Sequence, residues 1–264
     1  MKKITFTTNN VTGALAAFFN SNTTYTEHFN VVPYTVYKDV TGVHVSTNYS
    51  GKMQYMHGIT GTCITNPFCI AMQAAVDENG EKAFICGDCY ATAVYNSVAE
   101  LYNRNGELLN NGIIHTVPYI ESQYFRFNSH GELISELEYL NYYFIAACNK
   151  GKKVALWTKR PEIVERVHSM LGLKKLDNLL LVLSSPRKNE KISLANHPLF
   201  DKSFTVYTAE YAQEHGIKIT CGANACNSCG RCYTRRTDSE VAEMLKSDNR
   251  KGKGKGKGKG KKAA

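Results

Sequence analysis

Residues 154–184 read VALWTKRPEIVERVHSMLGLKKLDNLLLVLS, two apolar runs on either side of an amphipathic segment. Pro161 suits the first turn of a helix. The residues after it recur at a three- to four-residue spacing that predicts one apolar helical face: Ile163, Val164, Val167, Met170 and Leu171. The continuous run at 179–183 is typical of a strand covered on both faces. This stretch therefore predicts a strand–helix–strand unit with parallel strands.

The same alternation continues on both sides of this unit. Apolar runs predict strands at residues 124–127, 204–207 and 217–220, with a helix through Leu133, Leu137, Leu140 and Phe144. Repeated units of this kind predict an α/β fold, and we expect an open, partial βα barrel. Four segments follow from composition: an irregular β cap at 1–60, the partial barrel at 61–220, a cysteine-rich segment at 221–249 and a disordered Lys-Gly tail at 250–264.

The formal net charge of +9 comes almost entirely from the tail. From Arg250 onward the chain has one Arg, seven Lys and no acid, so residues 1–249 carry a net charge near +1. The alternating Lys-Gly sequence has no apolar face, which predicts disorder. It could make salt-dependent, non-specific contact with nucleic acid, or it could be a solubilising extension without a partner.

The cysteines are expected to be reduced. Disulfides require an oxidising compartment, and they are most common in small secreted scaffolds. The first residues lack the apolar run and cleavage site of a signal peptide, and no stretch approaches the ~18 consecutive apolar residues of a membrane span. We therefore expect a cytoplasmic protein without membrane contact.

Eight of the nine cysteines fall into two groups, and thiolates are soft ligands that select zinc or iron–sulfur clusters. The first group is Cys63, Cys69, Cys86 and Cys89. The pair Cys86-Gly87-Asp88-Cys89 places two sulfurs on one tight turn, within reach of a single metal, before a predicted helix. Three of these thiolates could hold an open cluster, all four could close around one structural zinc, or they could remain structural thiols.

The second group is Cys221, Cys226, Cys229 and Cys232, all within twelve residues. Its C-x2-C-x2-C run matches the pattern that holds a [4Fe–4S] cluster in bacterial ferredoxins, with Cys221 as the fourth ligand. Zinc ribbons normally separate their cysteine pairs by a dozen or more residues, so iron–sulfur is favoured and zinc is the alternative. Three nearby residues would offset the thiolate charge: Arg231, Arg235 and Arg236. The ninth cysteine, Cys148, is expected to be a buried small hydrophobe.

The segments Asn66-Pro67-Phe68-Cys69 and Cys86-Gly87-Asp88-Cys89-Tyr90-Ala91 resemble the cluster loop of radical-SAM-like phage proteins. More closely, residues 50–235 resemble the phage "gene product 88" family. The further points of contact are Gly51-Lys52-Met53 and residues 125–132, 157–161 and 178–184. This resemblance implies a radical-SAM-like partial barrel and, for a phage protein, the host cytoplasm.

In radical-SAM enzymes three cysteines hold a [4Fe–4S] cluster whose open iron binds S-adenosylmethionine (SAM), and an external donor supplies the electron. The resemblance implies that Cys86 and Cys89 are two ligands and that Cys69 or Cys63 is the third. This chain departs from the familiar C-x3-C-x2-C spacing, because sixteen residues separate Cys69 from Cys86.

Polar residues follow several predicted strands, where a βα barrel has its ligand site. The candidates for cofactor binding are Ser129, Gly131, Glu132, Lys159, Ser184 and Tyr207. Gly131 would allow close backbone approach, and Glu132 could pair with an ammonium group. In the alternative interpretation, Ser129 or Asn128 simply caps a helix that begins near Glu132. Arg126 and Asn128 share one face of their predicted strand.

Two functional hypotheses follow. The first is a radical-SAM-like iron–sulfur enzyme of phage type, with one or two [4Fe–4S] clusters, reductive SAM cleavage and hydrogen-atom abstraction from an unknown substrate. The alternative is a non-catalytic zinc- or cluster-binding module that engages nucleic acid or a partner protein. No HExxH, G-x-S-x-G or P-loop motif supports a hydrolase or a kinase.

Overall fold

The strand–helix–strand unit expected at residues 154–184 is present in the computed structural model, which describes residues 29–47, 51–61, 65–89, 91–222, 225–235 and 239–246. Its strands are Lys153–Thr158 and Leu179–Ser184, joined by a helix at Pro161–Leu171. Pro161 lies in the first turn of this helix, and Gly172 ends it in the left-handed conformation at φ 59°. The sequence prediction of this unit is confirmed.

Numbered along the chain, the strands are β1 (Asn30–Val32), β2 (Ser46–Thr47), β3 (His57–Ile59), β4 (Thr116–Pro118), β5 (Tyr124–Phe127), β6 (Lys153–Thr158), β7 (Leu179–Ser184), β8 (Lys202–Tyr207) and β9 (Glu240–Met244). The helices are α1 (Tyr34–Thr41), α2 (Pro67–Ala74), α3 (Ala91–Asn111), α4 (Glu136–Cys148), α5 (Pro161–Leu171), α6 (Ala209–Glu214) and the single turn α7 (Cys226–Cys229).

Seven of these strands form one sheet in the order β2-β3-β5-β6-β7-β8-β9. All neighbours pair in parallel except β2, which runs antiparallel to β3. A separate parallel pair joins β1 to β4. No pairing joins β2 to β9 in the described ranges, so the sheet is open there. An α/β fold with a parallel-dominated sheet is therefore confirmed, and the carboxyl ends of six strands lie along one edge.

The two faces of the sheet are covered differently. On one face Phe125, Leu156 and Leu181 pack with helix α4, of which every residue except Cys148 is buried. On the other face a smaller core joins Ala155 and Leu180 to a set from other segments: Met56, Cys232, Tyr233 and Val241. The cysteine-rich segment therefore covers the face of the sheet that the helices leave open.

Three local predictions need correction. Residues 217–220 form no strand. Thr220 and Cys221 donate to the Ala242 carbonyl, Thr220 Oγ1 accepts from the Ala242 amide, and the strand beside β8 is β9. Within the N-terminal segment, residues 34–41 form helix α1 rather than a strand, directly after Pro33. Helix α4 begins later than expected, because Ser135 accepts a hydrogen bond from the Glu138 amide and is its N-cap, in place of Ser129 or Asn128.

Two further expectations concern membrane contact and the two ends of the chain, and only the described residues can be compared with them. None of the helices described is both long and apolar enough to cross a membrane. The Lys-Gly tail and most of the expected N-terminal cap lie outside the described residues.

Candidate metal and ligand site

A cavity of about 450 Å³ opens at the carboxyl edge of the sheet. Residues that follow β5, β6 and β9 contribute to its wall, among them Ser129, Lys159 and Lys246, and so does Ser184, the last residue of β7. The cysteine-rich segment closes another side. Six cysteines line this one cavity: Cys86, Cys89, Cys221, Cys226, Cys229 and Cys232. Two cysteines of the first set, Cys86 and Cys89, therefore meet the second set at the edge where the sequence places a ligand site, whereas Cys69 does not line the cavity.

The first set is assembled from two separate elements. Asn66 caps α2, accepting from the Cys69 amide at 2.8 Å, and its own amide nitrogen contacts Cys69 Sγ at 3.3 Å. Cys86 begins a 3₁₀ turn that Cys89 closes by donating its amide to the Cys86 carbonyl. The pair thus sits on the tight turn that its spacing predicts. Cys63 lies outside the described residues.

Lys159 is the cation of the first set. Burial raises the pKa of Cys69 to about 12 and raises that of Cys86, while the positive charge of Lys159 opposes both rises. Burial also disfavours the Lys159 charge, but Glu132 and the neighbouring thiols keep the pKa of Lys159 above its usual value. Lys159 Nζ lies 3.9 Å from Glu132 Oε2. A half-buried cation thus lies beside three thiols.

Glu132 is engaged with the protein. One carboxylate oxygen accepts from Thr158 Oγ1 at 2.5 Å and from the Leu133 amide, and the other accepts from the Lys159 amide at 2.8 Å. Only 2% of Glu132 is exposed. Its carboxylate therefore anchors the ends of β5 and β6 to each other, and its oxygens are already used.

The second set is wrapped by a short helical segment. Cys226 and Cys229 begin and end the turn α7, Gly230 follows in the left-handed conformation at φ 62°, and Cys232 lies in a 3₁₀ turn. A Cβ at Gly230 would lie 2.6 Å from Tyr124 Oη, so only glycine fits there without a shift. Burial raises the pKa of Cys232 to about 12 and raises those of Cys221 and Cys226.

Lys52 ties the second set to the rest of the protein, a role that the sequence did not predict. Its Nζ donates to Cys221 Sγ at 3.0 Å and contacts Glu243 Oε1 at 2.6 Å. Its carbonyl accepts from the Cys226 amide at 2.6 Å. Although burial disfavours the charge, Glu243 and Cys221 keep the pKa of Lys52 above its usual range. The 169 residues between Lys52 and Cys221 explain why spacing could not reveal this contact.

The other predicted residues divide between the cavity and the remainder of the fold. Ser129, Gly131, Glu132, Lys159 and Ser184 all line the cavity. Tyr207 does not line it: its hydroxyl donates to Glu240 at 2.7 Å, and its ring packs with Ala212 and Ala242.

Of the three arginines expected to balance the second set, only Arg231 lines the cavity. Arg235 pairs with Asp201 and donates to the carbonyls of residues 176 and 177, and Arg236 lies outside the described residues. Arg126 instead acts electrostatically on Cys226 and Cys232, and its Cζ lies 3.2 Å from the centroid of the Trp157 ring. Cys148 is half-buried at the end of α4 and does not line the cavity.

The donor types at this site suit a sulfur-ligated centre. The eight cysteines described have free thiols, and Lys159, Lys52 and Arg126 provide positive charge beside them. Thiolates with adjacent cations are what zinc or an iron–sulfur cluster requires. No three His, Cys, Asp or Glu side chains in the described part of the chain are already arranged to hold a metal ion.

Comparisons with protein-family models, with curated proteins and with solved structures found no match to this chain.

Proposed function

We propose that the chain is an iron–sulfur enzyme that binds SAM and cleaves it reductively, on an open, partial βα barrel of radical-SAM type. The observation that carries this proposal is the meeting of Cys86 and Cys89 with the second cysteine set in one cavity, at the carboxyl edge of the sheet. The parallel strands follow one another in chain order, as they do in a βα barrel. Enzymes with such barrels have their active sites at this edge.

In this proposal Cys69, Cys86 and Cys89 hold the first cluster. Lys159 acts electrostatically on all three sulfurs, so it would balance the charge of the bound thiolates. Glu132 holds the backbone of Lys159 in place and fixes the base of its side chain. When bound, the cluster would supply one electron to SAM, received from an external donor.

Cys226, Cys229 and Cys232 hold the second cluster, with Cys221 as the fourth ligand. The single turn α7 places Cys226 and Cys229 three residues apart, on one side of a helix. Lys52 donates to Cys221 Sγ and supports this ligand as a thiolate.

The loop at residues 129–131 and the apolar wall provide the ligand contacts. Both oxygens of Glu132 are occupied, so the backbone of Ser129 and Gly131 would receive the SAM ammonium. Gly131 has φ 76°, a left-handed conformation that leaves its backbone accessible. Trp157, Phe204 and Val206 line the cavity and would exclude water from a reactive radical.

The test is anaerobic purification followed by measurement of iron, acid-labile sulfide and zinc per chain. Two clusters predict about eight irons with matching sulfide. With dithionite and SAM, the protein should release 5′-deoxyadenosine. The variant C86A/C89A should lose this activity and about half of its iron, whereas C148A, altered outside the cavity, should keep both.

Zinc without sulfide, or unchanged SAM cleavage by C86A/C89A, would contradict the proposal. Zinc alone would favour the non-catalytic binding module. In that case, binding of nucleic acid should depend on residues 250–264, and a truncation before Arg250 would test it.

A further inference from the structure

Arg126 is a cation of the cavity wall that no carboxylate neutralises within the described residues. The three acidic residues that line the cavity have other partners. Asp88 contacts Lys82 and Lys188, Glu132 contacts Lys159, and Glu243 contacts Lys52. A partly buried guanidinium without a counter-ion is energetically unfavourable, so the position of Arg126 in this wall requires an explanation.

The guanidinium of Arg126 is held flat against an aromatic ring. Its Cζ lies 3.2 Å from the centroid of the Trp157 ring, and Nη1 contacts Met53 Sδ at 3.6 Å. Its Nε has no hydrogen-bond acceptor. Stacking of this kind orients the planar group, so that its remaining donors lie in the geometry that a carboxylate or phosphate accepts from two nitrogens at once.

Two neighbouring donors are also unsatisfied. Trp157 Nε1 and Asn128 Nδ2 are buried without an acceptor among the described residues, and both residues line the cavity with Arg126. Asn128 has φ 50°, and its Oδ1 is already used by the Gly61 amide and the Tyr142 hydroxyl. Because these nitrogens are themselves buried, they lie behind the cavity wall, and the terminal nitrogens of Arg126 are the donors left for a ligand.

Balancing the thiolates does not account for this arrangement. The charge of Arg126 opposes the rise that burial causes in the pKa of Cys226 and Cys232. However, no cysteine sulfur in the described ranges accepts a hydrogen bond from Arg126, whereas Lys52 donates directly to Cys221. The second set thus has its own cation, and the donors of Arg126 remain for another group.

We propose that Arg126 is the anion-recognition residue of this cavity, and that the substrate carries a carboxylate or phosphate group that the guanidinium binds. This inference rests on the proposed function only in taking the cavity as the place where the substrate binds. The anion would lie against the guanidinium of Arg126, on the side of the cavity next to the second cysteine set.

Trp157 is the only tryptophan of the chain, so its fluorescence reports on the ring that Arg126 covers. Phosphate and acetate are titrated separately into protein purified without oxygen, with chloride holding the ionic strength constant. We expect a saturable change with at least one of the two anions, and the responding anion identifies the group. R126Q should bind it about ten- to a hundredfold more weakly, and R126K should lie between, because a charge-assisted contact is lost.

R166Q is the matched control, because Arg166 pairs with Glu136 on α4 and does not line the cavity. It should bind like the unaltered protein. A fluorescence change that does not saturate, or equal anion affinity in R126Q and the unaltered protein, would overturn the inference. So would loss of metal from R126Q without any loss of anion affinity, since Arg126 would then serve only the thiolates.

Iron, sulfide and SAM cleavage are measured on the same samples. Anion binding that depends on Arg126, in a protein that does not cleave SAM, would refute the proposed function and leave the anion site standing.

Discussion

Both cysteine sets contribute to one cavity, but they are built in opposite ways. The first is assembled by the fold: Cys69 comes from α2, Cys86 and Cys89 come from a later turn, and the cation Lys159 follows β6. The second has all four cysteines within residues 221–232, and Lys52 reaches Cys221 from a distant part of the chain. Residue spacing can reveal a candidate site whose residues lie in one segment. It cannot reveal a site whose residues are distant in sequence and are brought together by the fold.

The sets also differ in how far they belong to the hydrophobic core. Cys232 and Tyr233 pack on Ala155 and Leu180, so the second set is continuous with the core beneath the sheet. Cys89 contacts only a small cluster around Ala91 and Tyr102. Metal bound at the second set should therefore support the fold, while metal at the first should mainly support chemistry.

The largest expected effect comes from removing each metal site in turn. C226A/C229A should lower the unfolding temperature by roughly 10 °C, because metal binding at this segment contributes to folding free energy. C86A/C89A should lower it by much less. Both pairs are half-buried or exposed, so lost packing alone is a small part of either effect. Thermal unfolding without oxygen, followed by circular dichroism, measures both shifts.

A metal chelator supplies the control for this comparison. It should destabilise the unaltered protein and C86A/C89A, but have little further effect on C226A/C229A. Equal shifts of the unfolding temperature in C86A/C89A and C226A/C229A would show that both cysteine sets contribute equally to stability. That result would contradict the difference expected between the sets.

A smaller effect is expected from one glycine in each set. Gly230→Ala should cost about 2 kcal/mol, because φ is 62° and the new Cβ would lie 2.6 Å from Tyr124 Oη. Tyr124 stacks on Tyr233 with 4.8 Å between ring centroids, which limits its movement. Gly87→Ala should cost less, about 1 kcal/mol, because Gly87 does not have a positive φ, although its new Cβ would lie 2.9 Å from Lys82 Cβ and the turn must shift. Denaturant unfolding measures both.

Tyr124→Phe tests the cause within the second set. It removes the hydroxyl that the new Cβ would meet, so G230A/Y124F should recover part of the loss and leave the cost of the left-handed backbone. If Gly87→Ala is as costly as Gly230→Ala, the first set is as tightly constrained as the second.

The same distinction explains how much could be predicted from the sequence. Strands β5, β6 and β7 and helix α5 all follow from local patterns, and the structure contains each of them. The metal-binding role of the second cysteine set also rests on a local pattern and stays a prediction. Strand β9 was missed because its sequence, EVAEM, has two Glu, an Ala and a Met, which favour helices. It becomes a strand because β8 offers a parallel partner, which is a property of the tertiary structure.

The predicted site was similarly incomplete where it depended on distant contacts. Tyr207 follows a strand, as Ser184 does, but its hydroxyl reaches Glu240 on the neighbouring strand instead of the cavity. Arg235 is near the cysteines in sequence and is held by Asp201, while Arg126, about a hundred residues earlier, stands beside them. Closeness in sequence does not predict where a charged group lies, because a long side chain can reach another element of the fold.

The last prediction isolates a long-range contact of the second set, that of the Lys52 side chain with Cys221. Lys52→Met removes the hydrogen bond to Cys221 Sγ and the ion pair with Glu243, but keeps the backbone contact with Cys226. Under the proposed function, the C86A/C89A background leaves only the second set to bind metal, so its affinity can be measured alone. Cadmium-exchanged protein, titrated with EDTA, should show about ten- to a hundredfold weaker binding, as for other groups that support metal ligands. The cadmium–thiolate absorption reports the bound fraction.

Lys52→Arg separates charge and hydrogen bonding from packing. Arginine keeps a cation that can donate to both Cys221 Sγ and Glu243, so it should restore most of the affinity that methionine loses. If Lys52→Met leaves the metal affinity unchanged, residues 221–232 bind metal without a contribution from the Lys52 side chain. The second set would then depend on its own segment alone. An arginine variant as weak as the methionine variant would mean that the shape of Lys52, and not its charge, positions Cys221.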